Sequence, residues 1–479
     1  MDRVKKKELD FGNDKIFSIL LRLAPPVMLA QLIQALYNII DSFFIGNYSV
    51  SGLTALSIIY PIQLLMIALA VGTGVGINTL MAHFLGVDNK EKSDETAGVG
   101  NFLAFAMWFV FALICWFIMP FYAQISTNSQ EIIDEVIVYG RIVCVFSFGL
   151  FFESIWTKVM QATGNMKIPM IAQIVGAFVN IALDPLLIFG IGFFPELGIA
   201  GAAIATVSGQ IMEALIVMKK GFRKSPHRQV YPHHIAKIFQ LGIPNILMQS
   251  AYTLYIFGLN LILKEFSDQA VTALGLYYKW QTIFFIPLGA MQTCIVPVIS
   301  FNYSAGNRER CGKTLKDSVI LGMVLMLIGV LCFEIMPDVL MGTFSKDSEV
   351  IRIGSYALRV IAVSFIPMVT SLIFPVFFQA IGSAFKSSAL TILRTIVFFV
   401  PLGWVLAHFG LESFWFTFPI TEVITTAVGF IMYSKSRFGR RLRTDIRYNA
   451  YKLYKLPCNV IDKFRIMWYY NKNIILQGV

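Results

Sequence analysis

Twelve stretches of apolar residues, each long enough to cross a lipid bilayer as a helix, fill most of this chain and constrain its fold more than any other feature. A spanning helix needs about 20 apolar residues. Hydropathy places the stretches near 16–46, 53–84, 97–121, 135–162, 169–192, 199–219, 237–263, 270–303, 314–336, 350–381, 387–409 and 413–434. Of 479 residues, 57% are hydrophobic and 14% charged, against roughly 25% charged in an average soluble protein. So few charges cannot cover a water-facing surface, which excludes a soluble multidomain enzyme, a disordered chain and a disulfide-stapled secreted domain. Six scattered cysteines without paired spacing read as buried apolar spacers. The first stretch is too long for a cleavable signal and reads as the first membrane helix. Pro61, Pro185, Pro287, Pro297, Pro367 and Pro375 lie inside stretches and are expected to kink them, with packed neighbours satisfying the freed carbonyls.

The stretches are duplicated. Displaced by 218 residues, Pro26 meets Pro244, Gln31 meets Gln249, Tyr37 meets Tyr255 and Tyr60 meets Tyr278. The same displacement carries Thr54-Ala55-Leu56 onto Thr272-Ala273-Leu274 and Asn89-Lys90-Glu91-Lys92 onto Asn307-Arg308-Glu309-Arg310. Gln63 meets Gln281, Arg141 meets Arg359, Gln161-Ala162 meets Gln379-Ala380, and Gly164 meets Gly382. One register held across four stretches is not chance. Six stretches per half return the chain to its starting side, so the halves share one orientation. The fold class is therefore an all-α integral membrane protein, with 12 transmembrane helices as two six-helix lobes related by a parallel internal repeat.

Lys and Arg in the loops orient the bundle. The side bearing both termini carries 30 of them, and the opposite side three, Lys264, Lys346 and Arg352. Both termini are thus expected in the cytoplasm of a multi-pass cell-membrane protein. The expected organisation is a cytoplasmic segment 1–15, an N-lobe 16–220, a basic linker 221–236, a C-lobe 237–434 and a basic aromatic tail 435–479. The tail holds eleven Lys or Arg and two Asp, which is most of the net +11. Its interleaved Tyr448, Tyr451, Tyr454, Phe464, Trp468, Tyr469 and Tyr470 suit a short helix lying on anionic lipid. A solvated tail is the alternative, and no nucleic-acid partner is expected.

Chemistry concentrates in the first half. Gln31, Gln34, Asn38 and Asp41 are spaced 3, 4 and 3, which puts them on one helix face, as do Gln173, Asn180 and Asp184 at 7 and 4. Asp41 lies about 36 Å along its helix from Phe17, and Asp184 about 24 Å from Ile168, at 1.5 Å per residue. Both belong to the outer half of the N-lobe. A carboxylate at that depth costs roughly 2.5–3.5 kcal/mol, so it should face the bundle interior and titrate rather than stay charged and dry. A structural hydrogen bond or an interfacial position is the plainer alternative. Two carboxylates, each one turn beyond an amide, point instead to a proton or cation site. In the repeat, Asp41 meets Leu259 and Asp184 meets Leu402, so coupling chemistry belongs to one lobe only.

Glu153, with Lys158 five residues on, reads as paired or cavity-facing, or else interfacial. Arg394 reads as a lobe-internal counter-ion or as snorkelling. Tyr37, Tyr278 and Gln281, with Gln34 and Asn38, are candidates to line a cavity for bulky organic cations, since aromatic and Met surfaces attract such ligands. For any single aromatic, simple packing is the alternative. Gly306–Thr314 resembles a nucleotide-binding loop, but five residues separate its glycines where four are needed. HExxH, GxSxG and metal-ligand clusters are absent from the sequence, so neither an enzyme nor a cofactor is expected. His233-His234 sits in the basic linker and reads as solvated. Gly72, Gly74 and Gly76 read as a close helix-packing motif.

Pro25-Pro26, then Tyr37-Asn38-Ile39-Ile40-Asp41-Ser42-Phe43-Phe44-Ile45-Gly46, together with Asn180-x-x-x-Asp184-Pro185 and the paired Gln161-Ala-Thr-Gly164 and Gln379-Ala-Ile-Gly382 segments, resemble the multidrug and toxic compound extrusion (MATE) family over residues 16–434. The resemblance is strongest to bacterial members with an Asp pair in the N-lobe. It implies a monomeric exporter of organic cations and drugs, working by alternating access in exchange for inward H⁺ or Na⁺. It also implies that Asp41, Asn180 and Asp184 form the cation site, joined by Thr206. Carboxylate, amide and hydroxyl oxygens could serve either ion, so Na⁺ at these four residues is the one metal in prospect. Two other readings remain: a lipid-linked saccharide flippase, disfavoured by twelve helices and few intramembrane bases, and a non-transport membrane scaffold, disfavoured by the buried Asp pair.

Overall fold

In the computed structural model the described residues are 9–436, except Asn128 and Phe193, with the side chains of Asn38, Ile39, Val50 and Thr253 also outside the described set. The first lobe comprises α1 (Ile16–Tyr48), α2 (Val50–Gly86), α3 (Lys90–Ser126), α4 (Gln130–Val145), α5 (Phe148–Ala162), α6 (Lys167–Ile188) and α7 (Ile199–Gly221). The second begins with α8 (Tyr231–Lys264), α9 (Asp268–Phe284), α10 (Ile286–Ser304), α11 (Arg308–Ile335), α12 (Pro337–Gly342), α13 (Ser348–Ala362) and α14 (Phe365–Ala380). It ends with α15 (Ala384–Ile392), a π-helical turn over Leu393–Phe399, α16 (Val400–Ala407), α17 (Leu411–Phe414) and α18 (Thr417–Lys435). Strands are absent among the described residues.

Among the described residues, nine continuous helical segments are long and apolar enough to cross a membrane, and three bent pairs bring the spans to twelve when each pair counts as one. The pairs are α4–α5, α9–α10 and α13–α14, bent by 40°, 51° and 60°. They coincide with the fourth, eighth and tenth apolar stretches.

The 218-residue register runs through the backbone. Val50–Gly86 displaced by that amount falls on 268–304, the outer bounds of α9 and α10, and Lys90 falls on Arg308, the first residue of α11. Capping is copied too. Ser49 accepts from the Gly52 N–H at 3.0 Å and Ser267 from that of Ala270 at 3.1 Å. Asn89 accepts from Lys92 and Asn307 from Arg310. Each cap satisfies a backbone N–H that the helix leaves orphaned, which contributes about 1 kcal/mol. Gly164 and Gly382, after α5 and α14, have φ of 81° and 77°, a left-handed turn that strains any residue with a Cβ.

Pro287 and Pro367 lie beside breaks, and Pro61, Pro185, Pro297 and Pro375 sit within continuous helices. The α4–α5 break contains no proline. There the Ser147 hydroxyl donates to the Cys144 carbonyl at 2.7 Å, and at the α13–α14 break Ser364 donates to Ile361 at 2.6 Å. A serine that bonds back to the preceding turn bends a helix without proline. The linker is also shorter than 221–236, because α8 starts at Tyr231. His234 is consequently buried at 4% exposure against Phe84 and 4.0 Å from Glu95, not solvated, whereas His233 is exposed.

One apolar core lies wholly within the first lobe, while the other two run across the seam, where α2 crosses α8 and α10 and α1 packs on α10. Gly72 and Gly76 pack directly on the backbone of α8. A Cβ at Gly76 would collide with the Ile238 carbonyl. His83 bonds the Ala380 carbonyl at 2.8 Å across this seam. Asn302 and Arg310 hold the Phe11 carbonyl at 2.9 and 2.8 Å, and Arg310 also takes that of Asp14. These contacts all lie toward the end of the bundle bearing the N-terminal segment. The outward surface is apolar, with Phe117, Phe121, Phe178 and Ile335 largely exposed, as a lipid-facing perimeter requires.

Candidate functional site

Asp41, Asn180, Asp184 and Thr206 come together inside the first lobe, from three helices packed side by side. Asp41 projects from α1, Asn180 and Asp184 from successive turns of α6, and Thr206 from α7. Gly209 lets α7 approach α6 closely, since its Cα faces the Gly176 carbonyl and the Asn180 Cβ. All four polar residues are buried, Asp184 completely. Pro185 has no N–H, which frees the Ile181 carbonyl one turn below.

The hydrogen bonding within the group is sparse. Asn180 Nδ2 reaches Asp184 Oδ1 and Thr206 Oγ1, both at 3.4 Å. Asp41 Oδ1, Asp184 Oδ2 and Asn180 Oδ1 are buried with no hydrogen-bond partner among the described residues. Each such atom costs about 1–3 kcal/mol of desolvation, and all three are acceptors converging from neighbouring helices. Asp41 and Asp184 are near enough to feel each other's charge. A proton on either carboxyl, or a hard cation among the oxygens, would relieve the arrangement.

Tyr37 lies one turn before Asp41 on α1, within electrostatic reach of both carboxylates. Tyr139 of α4, buried at 1% exposure, completes the wall: its hydroxyl is 3.4 Å from Gln63 Nε2 and within reach of Asp41. Nothing in the spacing around Tyr139 sets it apart from a packing aromatic, so the sequence reading missed it. Gln34 is exposed on α1, and the Asn38 side chain lies outside the described residues.

Glu153 is buried rather than interfacial, and it accepts from Thr157 at 2.7 Å within its own helix. Lys158 donates to Gln161 at 2.9 Å and forms no salt bridge with Glu153. Glu153 is within electrostatic reach of Lys158 and of Glu213 on α7, and Glu213 in turn reaches Tyr37 beside the aspartates.

Tyr278 and Gln281 belong to the second lobe. Gln281 Oε1 accepts from the Tyr252 hydroxyl at 3.1 Å, and the Tyr278 ring stacks edge-on to Tyr252 and Tyr255. Close by, Arg394 and Glu422 form a buried ion pair, with Nε to Oε1 at 3.0 Å and side-chain exposures of 7% and 0%. The Ser371 hydroxyl donates to Glu422 Oε2. Arg394 is thus a counter-ion within its lobe and does not snorkel. The usable signal was that Arg394 and Glu422 are the lone charges of two consecutive apolar stretches.

A family model described as MatE matches residues 26–186 and again 244–405, one match per lobe. The FAD transporter of Shewanella oneidensis is 24% identical over 423 residues, covering 85% of this chain and 92% of that protein. The multidrug export protein MepA of Staphylococcus haemolyticus is 24% identical over 437 residues, covering 88% and 95%. Among solved structures, an outward-facing multidrug resistance MATE family transporter superposes with a TM-score of 0.84 at 22% identity, covering 92% and 99%. A MOP superfamily transporter from Pyrococcus furiosus, described as having a binding pocket of reverse polarity, superposes with a TM-score of 0.82 at 23% identity, covering 89% and 98%.

Proposed function

Because the chain belongs to the MatE family of membrane transporters, with a family match on each lobe, we propose that it is a secondary active exporter of bulky, often cationic organic compounds. Export proceeds by alternating access in exchange for inward H⁺ or Na⁺. The observation that carries the reading is the buried group of Asp41, Asn180 and Asp184, three of whose oxygens lack partners among the described residues. Thr206 supplies a fourth oxygen, and Tyr37 and Tyr139 wall the group off.

The coupling cycle follows from charge. With the site open outward, an ion arriving from outside neutralises the carboxylates and lets the lobe close around them. When the site opens inward, the ion leaves and the exposed carboxylates attract a cationic substrate. The relative named for multidrug export supports the substrate class, while the relative named for FAD marks that a similar scaffold also serves an anionic aromatic compound. The excess of Lys and Arg on the side of the termini supports a cytoplasmic location for both. The tail from residue 437 lies outside the described residues. From its sequence we read a lipid-binding segment of a monomeric cell-membrane exporter.

The test is ethidium efflux from proteoliposomes under an imposed pH or Na⁺ gradient. Efflux should collapse when the coupling gradient is dissipated and persist when the other is. Efflux indifferent to both gradients would defeat the reading.

A further inference from the structure

The second lobe carries a charged site that the duplicated scaffold does not need. Arg394 and Glu422 are the one ion pair buried on both sides among the described residues. At the matching positions of the first lobe stand Gly176 and Ile204; Glu213 packs against Gly176 there, but no ion pair forms at this place among the described residues. The π-turn Leu393–Phe399 that presents Arg394 is likewise unmatched, because residues 175–181 form regular α-helix within α6. Such turns are frequent at functional sites. Replacing a buried ion pair by apolar side chains is often neutral or stabilising, so stability alone is weak grounds for keeping one. Ionisable groups at membrane depth are by default functional.

The guanidinium does more than hold Glu422. It lines a cavity of about 50 Å³ together with Tyr252, Ser371, Thr391 and Thr395, against the apolar walls of Met248 and Pro375. That volume admits a few waters or one carboxylate. The Thr391 hydroxyl in this lining is buried, with the residue 3% exposed, and has no hydrogen-bond partner among the described residues. Beside it Tyr252, 36% exposed, and the half-buried Tyr278 stand with ring centroids 6.1 Å apart in front of the buried Tyr255 and Tyr277, and the two outer rings offer a face to a flat aromatic body. The first lobe offers only acids around its cation group, whereas this pocket offers a guanidinium and hydroxyl donors.

We propose that the Arg394 pocket is a second substrate subsite, which binds the carboxylate of aromatic zwitterions. Arg394 and Thr391 hold the carboxylate, Tyr252 and Tyr278 hold the ring system, and Glu422 keeps the guanidinium in place and its charge balanced when the pocket is empty. The proposal rests on the export reading above and adds a substrate class to it.

Rhodamine 110, which carries a free carboxyl, and its methyl ester rhodamine 123 differ only at that group, so their export separates the subsite from the rest of the machine. Wild-type protein in proteoliposomes should export both. The paired variant Arg394→Gln with Glu422→Gln removes both charges together and leaves no lone buried ion. It should export the ester within about twofold of wild type, while export of the acid falls by about tenfold or more. Arg394→Lys, with Glu422 intact, keeps the charge and loses the planar fork. It should raise KM for the acid several-fold and leave that for the ester unchanged. A parallel loss of both dyes in a protein with wild-type melting would assign the pair a structural role and overturn the proposal. So would loss of neither dye, or a wild type that exports the ester but not the acid. A wild type that exports neither dye would instead defeat the export reading.

Discussion

At the scale of single residues, the account rests on oxygens without partners. Asp41 and Asp184 are buried acids beside unsatisfied atoms, so Asn at either position keeps the shape and removes the charge. Asp184→Asn is expected to lower gradient-driven ethidium efflux by about tenfold or more while leaving the melting temperature equal or higher, because a costly buried ionisable group is gone. Thr206→Val removes one weak ligand and should reduce efflux only several-fold, shifting the apparent affinity for the coupling ion, as a dose–response in pH or Na⁺ would show. The sequence made part of this group legible. Helical spacing aligned Asn180 with Asp184, and Asp41 stood out as an acid in an apolar run. Thr206 came only through the family resemblance, since a threonine in a membrane helix carries no signal of its own. Tyr139 was hidden among 18 tyrosines, because its role depends on α4 packing across α2 and α7, which no local pattern encodes.

At the scale of helices, the alternating access proposed above would work at the seam between the lobes. Gly72 and Gly76 of α2 lie on the backbone of α8, and the Phe11 carbonyl is held by Asn302 and Arg310 of the other lobe. The helix backbones are packed directly at these glycines, so a side chain forced into the seam should block its closure. Gly76→Leu is expected to abolish most efflux at a stability cost of about 1–3 kcal/mol. Crosslinking between introduced cysteines at Ile77 and Ile238, which share one apolar cluster across the seam, would then fall, and unchanged crosslinking with normal efflux would contradict the role given to the seam. The apolar stretches announced these helices to within a few residues. The bends were harder to read. The sequence placed kinks at six prolines, yet the α4–α5 bend turns on Ser147, whose hydroxyl replaces a backbone bond. Proline is conspicuous in a sequence, and a serine that bonds backward is not.

At the scale of the whole molecule, one scaffold has been duplicated and then specialised. The 218-residue register fixes helix ends, caps and left-handed glycines in both lobes, and the register itself is plain in the order of the amino acids. Charge is distributed otherwise. The first lobe holds Asp41 and Asp184 where the second has Leu259 and Leu402, and the second holds Arg394 and Glu422 where the first has Gly176 and Ile204. A pair 28 residues apart on separate helices is joined only by how those helices pack, which spacing along the chain does not encode. The proposed division of labour puts ion coupling wholly in the first lobe, and this is the central claim. It is tested most directly by substrate-evoked ion flux in proteoliposomes, read with a pH-sensitive dye or radioactive Na⁺ when ethidium is added. Wild-type protein and the Arg394→Gln, Glu422→Gln variant should both move the coupling ion, and the Asp41→Asn, Asp184→Asn variant should move none. Ion flux that survives loss of both aspartates in a folded protein would contradict the account.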